Sequence, residues 1–284
     1  MHRIKVLSDF RWHVRIRWLA SIAQIAPCLL LISFATSAGE EPVFWNKLGS
    51  RAEIENSEIG ADGHFEGGRF VDGVFGGAYH ARYDEWGQVY FPMEVVPSSR
   101  GTIEFWAKLV NPPEFMPSAG GGPRFIYAGQ AREVDAEDTS YEIGLCGNDG
   151  DGNGGLYATA GNEYTAGTGY FGRYAYSEVL GAGQEENWHH YAMVWDEDGV
   201  PGFGADKVVI YLDGERHNGR YHIDVDRDYG FPDILPGNRL LLLVNDGARQ
   251  GAFAIDNLKI WDYPRSEFSD RFTEGGSAEP IFVR

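Results

Sequence analysis

Residues 188–214, WHHYAMVWDEDGVPGFGADKVVIYLDG, constrain the fold of this chain more than any other stretch. They read as two β-strands joined by a Gly/Asp/Pro-rich connection. In the first, His189, Tyr191, Met193 and Trp195 fall on one face, and His190, Ala192 and Val194 on the other. In the second, Val208, Ile210 and Leu212 alternate with Val209 and Tyr211, and Asp213-Gly214 ends the strand in a tight turn. Both faces of each strand are apolar, so each must be covered on both sides. Two stacked sheets provide that cover, whereas a sheet wetted on one face does not. The predicted fold is therefore all-β, a two-sheet antiparallel β-sandwich.

The rest of the chain is consistent with this. Beyond residue 40 no amphipathic helix emerges. Short strand-like runs alternate with Gly, Asp, Asn and Pro clusters, which predicts about 12–14 strands. One turn of helix is expected near 266–272. Long connections at 111–123, 130–139, 146–155, 161–170 and 196–206 are where a sandwich of this kind carries function.

The first 38 residues read differently. Arg3, Lys5, Arg11, Arg15 and Arg17 form a basic stretch, residues 19–34 are mostly apolar, and Ala35-Thr36-Ser37-Ala38 offers small residues for cleavage. This pattern predicts a secretory signal peptide over 1–38 and a single domain over 39–284, exported to the periplasm, the cell surface or the medium. The rival reading is an uncleaved membrane anchor, because the apolar run approaches spanning length. Gln24 and Pro27 within the run favour cleavage, after which no membrane insertion is expected.

Of the 24 Lys/Arg and 42 Asp/Glu residues, five and one lie in the first 38, leaving 19 and 41 and a net charge near −22. Such a surface repels nucleic acid and anionic membranes. It suits a neutral or cationic glycan or a bound cation, and disfavours a polyanionic glycan without a local basic patch. Cys146 alone remains after cleavage, so no internal disulfide is available and the core must hold the domain together.

Four stretches share a further pattern, in the same order along the chain: FVDGVFGGAYHA (70–81), GTIEFWAKL (101–109), WHHYAMVWD with VVIYLDGE, and AIDNLKIWDYPRSEFSDRF (254–272). Together they resemble the LamG-like jelly rolls of the concanavalin A-like lectin/glucanase superfamily. The resemblance implies a jelly roll. It leaves function open, because that fold hosts lectins, adhesion modules, glycanases and lyases. It also implies a calcium site: in proteins of this type a closing-strand Asp binds Ca2+ together with carbonyls of the Gly-rich entry segment. Here those would be Asp256 and the backbone near Gly73 and Gly76. Within AFAIDNLKIW, Asp256 is expected to share a face with Ala252, Ala254, Leu258 and Ile260, and a carboxylate on such a face needs either a cation or backbone N–H donors.

Other candidates stand on local chemistry. Glu133, Asp135 and Glu137 match the E-x-D-x-E strand of retaining glucanases, where they would be nucleophile, tuning residue and acid/base. Ala136 and the polar flanks instead read as a solvated loop. Asp149, Asp151 and Asn153 match the first half of a calcium loop, but Ala160 stands where a bidentate Glu is needed. His189 and His190 point to opposite strand faces and cannot chelate together. Tyr164, Tyr170, Phe171 and Arg173 lie in a Gly/Thr-rich run, where aromatic faces can stack on sugar rings and a guanidinium can read hydroxyls. The function expected on these grounds is non-catalytic binding of a glycan or glycosylated surface, with structural calcium. The alternatives are a glycoside hydrolase or polysaccharide lyase using the 133–137 acids, and an adhesion module binding a protein.

Overall fold

The computed structural model describes residues 41–81, 87–110, 124–129, 139–146, 155–162, 172–173, 187–204, 206–217, 239–244 and 253–274. In chain order the strands are β1 (Phe44–Asn46), β2 (His64–Gly67), β3 (Arg69–Asp72), β4 (Gly77–His80), β5 (Gly87–Pro92), β6 (Arg100–Leu109), β7 (Arg124–Gly129) and β8 (Thr139–Cys146). They continue as β9 (Gly155–Asn162), β10 (Gly172–Arg173), β11 (His189–Asp196), β12 (Val208–Leu212), β13 (Glu215–His217), β14 (Arg239–Val244) and β15 (Phe253–Trp261). Fifteen strands among the described residues slightly exceed the expected count. One four-residue helix, α1 (Arg51–Ile54), follows β1, capped by Ser50 Oγ, which accepts from Glu53 N at 3.2 Å. The helical turn expected near 266–272 is a 3-10 turn at Ser269–Phe272.

The strands form two antiparallel sheets. One runs β13-β12-β11-β6-β15-β4-β3, with β1 added on β15, and the other β10-β9-β8-β7-β14-β5-β2. Between them lies one core. Phe125 of the seven-stranded sheet packs against Tyr191 and Phe253 of the other, with ring centroids 4.8 Å apart in both pairs. A bulge makes this possible: β7 carries one extra residue between Arg124 and Ile126 relative to β8, so Phe125 and Ile126 both join the core. The hairpin of β11 and β12 is buried on both faces, as its sequence requires. Tyr191, Met193, Trp195, Val208, Ile210 and Leu212 enter the main core. Ala192, Val194, Val209 and Tyr211 form a second cluster on the other side.

The closing strand departs from simple alternation. Phe253, Ile255, Leu258 and Ile260 face the core, so the expected grouping of Asp256 with Leu258 and Ile260 fails. The reason is a bulge between Asp256 and Lys259, where Asn257 takes a φ of 54°. The extra residue moves everything after it to the opposite face. The bulge also divides one edge of β15 between two partners: Ala254 and Ile255 pair with β4, whereas Leu258, Lys259 and Ile260 pair with β1. Asn257 stabilises the junction, its N–H donating to Lys47 O at 3.0 Å and its Oδ1 accepting from Trp45 Nε1 at 2.8 Å.

Gly101 shows how tightly the layers fit. It stands opposite Trp195 in the β6–β11 register, and a Cβ there would lie 2.6 Å from the indole and 2.8 Å from Trp261 O. Neither neighbour can yield cheaply. Gly101→Ala is expected to cost about 1–3 kcal/mol, as overpacking does, and to lower the melting temperature by several degrees; an unchanged melt would show that the indole moves freely.

Candidate functional site

The outer faces of the two sheets are used differently. Over the eight-stranded sheet the chain covers itself. Val200 of the β11–β12 connection and Phe268 of the tail after β15 close the second apolar cluster, and Phe203 packs against it. The tail is pinned by polar contacts. Arg265 donates from Nη1 to the buried Glu104 at 3.0 Å and from Nη2 to both carboxylate oxygens of Asp270 at 2.7 and 2.9 Å. Thr102 Oγ1 donates to Tyr263 O and accepts from Arg265 N, both at 2.9 Å. Trp106 Nε1 donates to Arg271 O at 3.1 Å, and Lys259 Nζ to Thr273 O at 3.3 Å. Burial of Lys259 holds its ammonium below the ordinary lysine range despite the nearby carboxylates of Glu104 and Asp270.

The outer face of the seven-stranded sheet carries a row of register partners. His64 stands opposite Tyr90, Tyr90 opposite Leu241, and Leu241 opposite Tyr127. The row continues through Glu142 and Thr159 to Gly172. Directly opposed residues of antiparallel strands share a face, so the row crosses the whole sheet, about 29 Å at 4.8 Å per strand spacing. At its β2 end the side chains are accessible: His64 is exposed, and Glu66, Gln88, Tyr90 and Arg239 are half-buried. Tyr90 is flanked from the strand on either side. The His64 ring centroid lies 4.7 Å from that of Tyr90, and the Arg239 guanidinium 4.0 Å from it. His64 Nε2 hydrogen-bonds Glu66 Oε1 at 2.9 Å. Further along the row Tyr127 and Leu241 are buried. The accessible end therefore concentrates planar hydrogen-bonding groups on one rigid strand surface.

A second site lies at the β15 bulge. Asp256 is buried, and its Oδ2 accepts from Val74 N at 2.6 Å and Phe75 N at 3.0 Å. The carboxylate thus ties down the connection between β3 and β4, where Gly73 N also donates to Gly76 O at 2.6 Å. This is the backbone-capping role that the sequence allows for Asp256. Oxygens also converge here. A Cβ at Gly73 would lie 2.5 Å from both Asp256 Oδ2 and Gly77 O, a cradle open only to glycine. Among the described residues no three acidic or imidazole groups come together as a metal cluster, so a cation here would draw on carbonyls as much as on carboxylates. That is oxygen chemistry, suited to a hard cation such as Ca2+.

Of the remaining sequence-predicted residues, Glu133, Asp135, Glu137, Asp149, Asp151, Asn153, Tyr164, Tyr170 and Phe171 lie outside the described residues. Arg173 is in β10, opposite Ala158, at the far edge of the seven-stranded sheet. His189 has a structural partner: its Nδ1 meets Asp213 Oδ2 at 2.7 Å, while Asp213 Oδ1 accepts from His190 N at 2.9 Å. Burial would raise the Asp213 carboxyl, but these donors outweigh it and hold the group below its ordinary range. His64, Tyr90 and Arg239 escape sequence reasoning, because only the pairing of β2, β5 and β14 brings them together.

Burial, opposed by the two N–H donors and reinforced by the charges of Glu274 and Glu53, pushes the Asp256 carboxyl from 3.8 up to about 7. A raised carboxyl pKa means that the folded state binds the extra proton, so the linked stability is full below pH ~4 and is lost as pH rises to about 7. In metal-free buffer the wild type should lose stability relative to Asp256→Asn across pH 4–7, and the two melting curves should run parallel above pH 8. A constant difference across the whole range would contradict the assignment.

No curated protein matches the sequence significantly. Solved structures do match the fold. Domain 4 of AbnA, a GH43 extracellular arabinanase from Geobacillus stearothermophilus solved with arabinotriose, aligns with a TM-score of 0.51 at 16% identity over 79% of this chain and 95% of that one. The botulinum neurotoxin serotype D binding domain aligns with a TM-score of 0.51 at 14% identity over 81% of this chain. The serotype G binding domain aligns at 0.50 and 12% identity over 79%. This chain spans about half the length of those neurotoxin domains, 49% and 48%. At these identities the likeness concerns the fold. A family model described as the concanavalin A-like lectin/glucanases superfamily matches residues 84–268. With two stacked antiparallel sheets beneath that match, the chain belongs to the concanavalin A-like lectin/glucanase superfamily.

Proposed function

We propose that this protein is an exported, non-catalytic glycan-binding module that takes its ligand on the outer face of the seven-stranded sheet. The observation that carries the reading is the cross-strand group of His64, Tyr90 and Arg239, with Glu66 and Gln88 beside it. It places donors, acceptors and flat rings on a rigid surface, as hydroxyl recognition requires. The opposite outer face is closed by the chain's own tail. The arabinanase domain of similar fold, solved with arabinotriose, supports the same class of ligand. β9 and β10, which flank residues 163–171 in the sequence, belong to this sheet, so Tyr164, Tyr170 and Phe171 are proposed to extend the surface as a stacking platform, with Arg173 on its edge strand.

Screening the full chain against neutral and acidic oligosaccharides tests the reading. Tyr90→Ala and Tyr170→Ala should each weaken binding by about 1–3 kcal/mol, by analogy with aromatic stacking on nucleic-acid bases, with melting temperatures near the wild type. Binding that both variants leave intact, or no binding to any glycan, would overturn it.

The proposal includes a structural calcium ion held by Asp256 and the carbonyls around Gly73 and Gly76. The converging oxygens at Gly73 support it, and the ion would fix the β3–β4 connection against the closing strand. A cation bound only by the folded state adds about 2.7 kcal/mol at one hundred times its dissociation constant. Chelator should therefore lower the melting temperature of the calcium-loaded protein, and Asp256→Ala should abolish the difference. Identical melts with and without chelator would remove calcium from the proposal.

A further inference from the structure

Arg239 rests its charge on an aromatic ring rather than on a carboxylate, as Arg271 does over Phe272 at 4.3 Å. The sequence holds 42 Asp/Glu against 24 Lys/Arg, and other arginines of the structure find carboxylates. Arg51 meets Glu55 at 2.7 Å, Arg216 meets Asp206 at 3.1 Å, and Arg265 meets Glu104 and Asp270 at 3.0 and 2.7 Å. Arg239 is half-buried on β14, and its guanidinium has no hydrogen bond or ion pair with any described residue. Its guanidinium carbon lies over the Tyr90 ring, 4.0 Å from the centroid. On the same face Glu66 is engaged by His64 at 2.9 Å.

The chemistry of this arrangement is specific. A guanidinium resting on an aromatic ring is held by cation–π attraction while its N–H groups remain at its edge. Those groups form a planar fork that matches a carboxylate with two parallel hydrogen bonds. Glu66 is held by His64 rather than by Arg239, so the Arg239 guanidinium beside Tyr90 keeps its charge free for a ligand although the whole protein is negative. This is the local basic element that an acidic ligand needs in order to bind a chain of this composition.

We infer that Arg239 is a specificity-determining residue for a carboxylate-bearing sugar, so that the glycan taken by this face contains uronic acid. The inference rests on the glycan-binding reading above and narrows its substrate class. A carboxylate gains two charge-assisted bonds from the fork, while a neutral hydroxymethyl group at the same position gains at most one ordinary bond.

The experiment is calorimetric titration of the full chain with gluco-, galacto- and mannuronate oligosaccharides, each beside its carboxyl-reduced neutral form, and with one sulfated neutral oligosaccharide. At least one uronate should bind ten or more times more tightly than its reduced partner and than the sulfated sugar. Arg239→Gln should abolish the difference between the acidic and the neutral form, so that the ratio of their affinities falls to about one. Arg239→Lys, which keeps the charge without the fork, should restore only part of the preference; its wild-type melt would show that the effect is not misfolding. Equal affinities for acidic and reduced sugars, a stronger preference for the sulfated one, or a uronate preference that survives Arg239→Gln would each overturn the inference. Neutral sugars that bind through Tyr90 without acid preference would leave the binding face standing and remove only the carboxylate. Absence of any Tyr90-dependent binding would remove both.

Discussion

The organisation of this domain depends on one irregularity, the bulge at Asp256 and Asn257 in the closing strand. A regular β15 would offer one continuous edge to one partner. The bulge divides that edge, so that β4 pairs before it and β1 after it. The break leaves backbone groups of the neighbouring connections without ladder partners, and side chains take over. Asp256 accepts from Val74 and Phe75, and Asn257 joins Trp45 and the carbonyl of Lys47. Buried backbone groups must be satisfied: the Asp256 side chain does so for Val74 and Phe75 of the β3–β4 connection, and the Asn257 backbone N–H does so for Lys47 O after β1. The cost is a carboxylate inside the fold, visible in its raised proton affinity.

The same strand sets the asymmetry of the two faces. After Trp261 the chain turns back over the eight-stranded sheet, and the Arg265 fork, held between Glu104 and Asp270, keeps it there. Phe268 then completes the apolar cover begun by Val200 and Phe203. Polar side chains beneath the tail are thereby committed to structure. The seven-stranded sheet keeps half-buried polar and aromatic groups on its outside, and recognition chemistry is available there.

The sequence reveals the sandwich because its evidence is local. The β11–β12 hairpin alternates without fault and is apolar on both faces, and both faces are indeed buried. The strand at 101–109 is legible as one of the four stretches that carry the family resemblance, and it forms β6. Asp256 stands out as a carboxylate among apolar neighbours, and capping of backbone N–H groups is one of the two roles its chemistry permits. Its face is misassigned relative to Leu258 and Ile260 because an alternation rule cannot register one extra residue. The row from His64 to Gly172 is illegible for a deeper reason. Tyr90 in GQVYFP looks like any strand aromatic, and Arg239 before LLLL looks like a strand end. Only the non-local pairing of β2, β5 and β14 makes them neighbours.

The long-range pairing of β1 with β15 also shapes how the domain is made. Phe44 stands opposite Ile260, and β15 sits between β6 and β4 inside its sheet rather than at an edge. A growing chain therefore cannot complete this sheet until its closing strand has been synthesised, and the early strands must wait with unpaired edges. Pairings of such sequence separation make folding slow and leave nascent chains prone to wrong partners. Loss of residues 253–261 would remove an interior strand of that sheet, and β6, β4 and β1 would lose their common partner together.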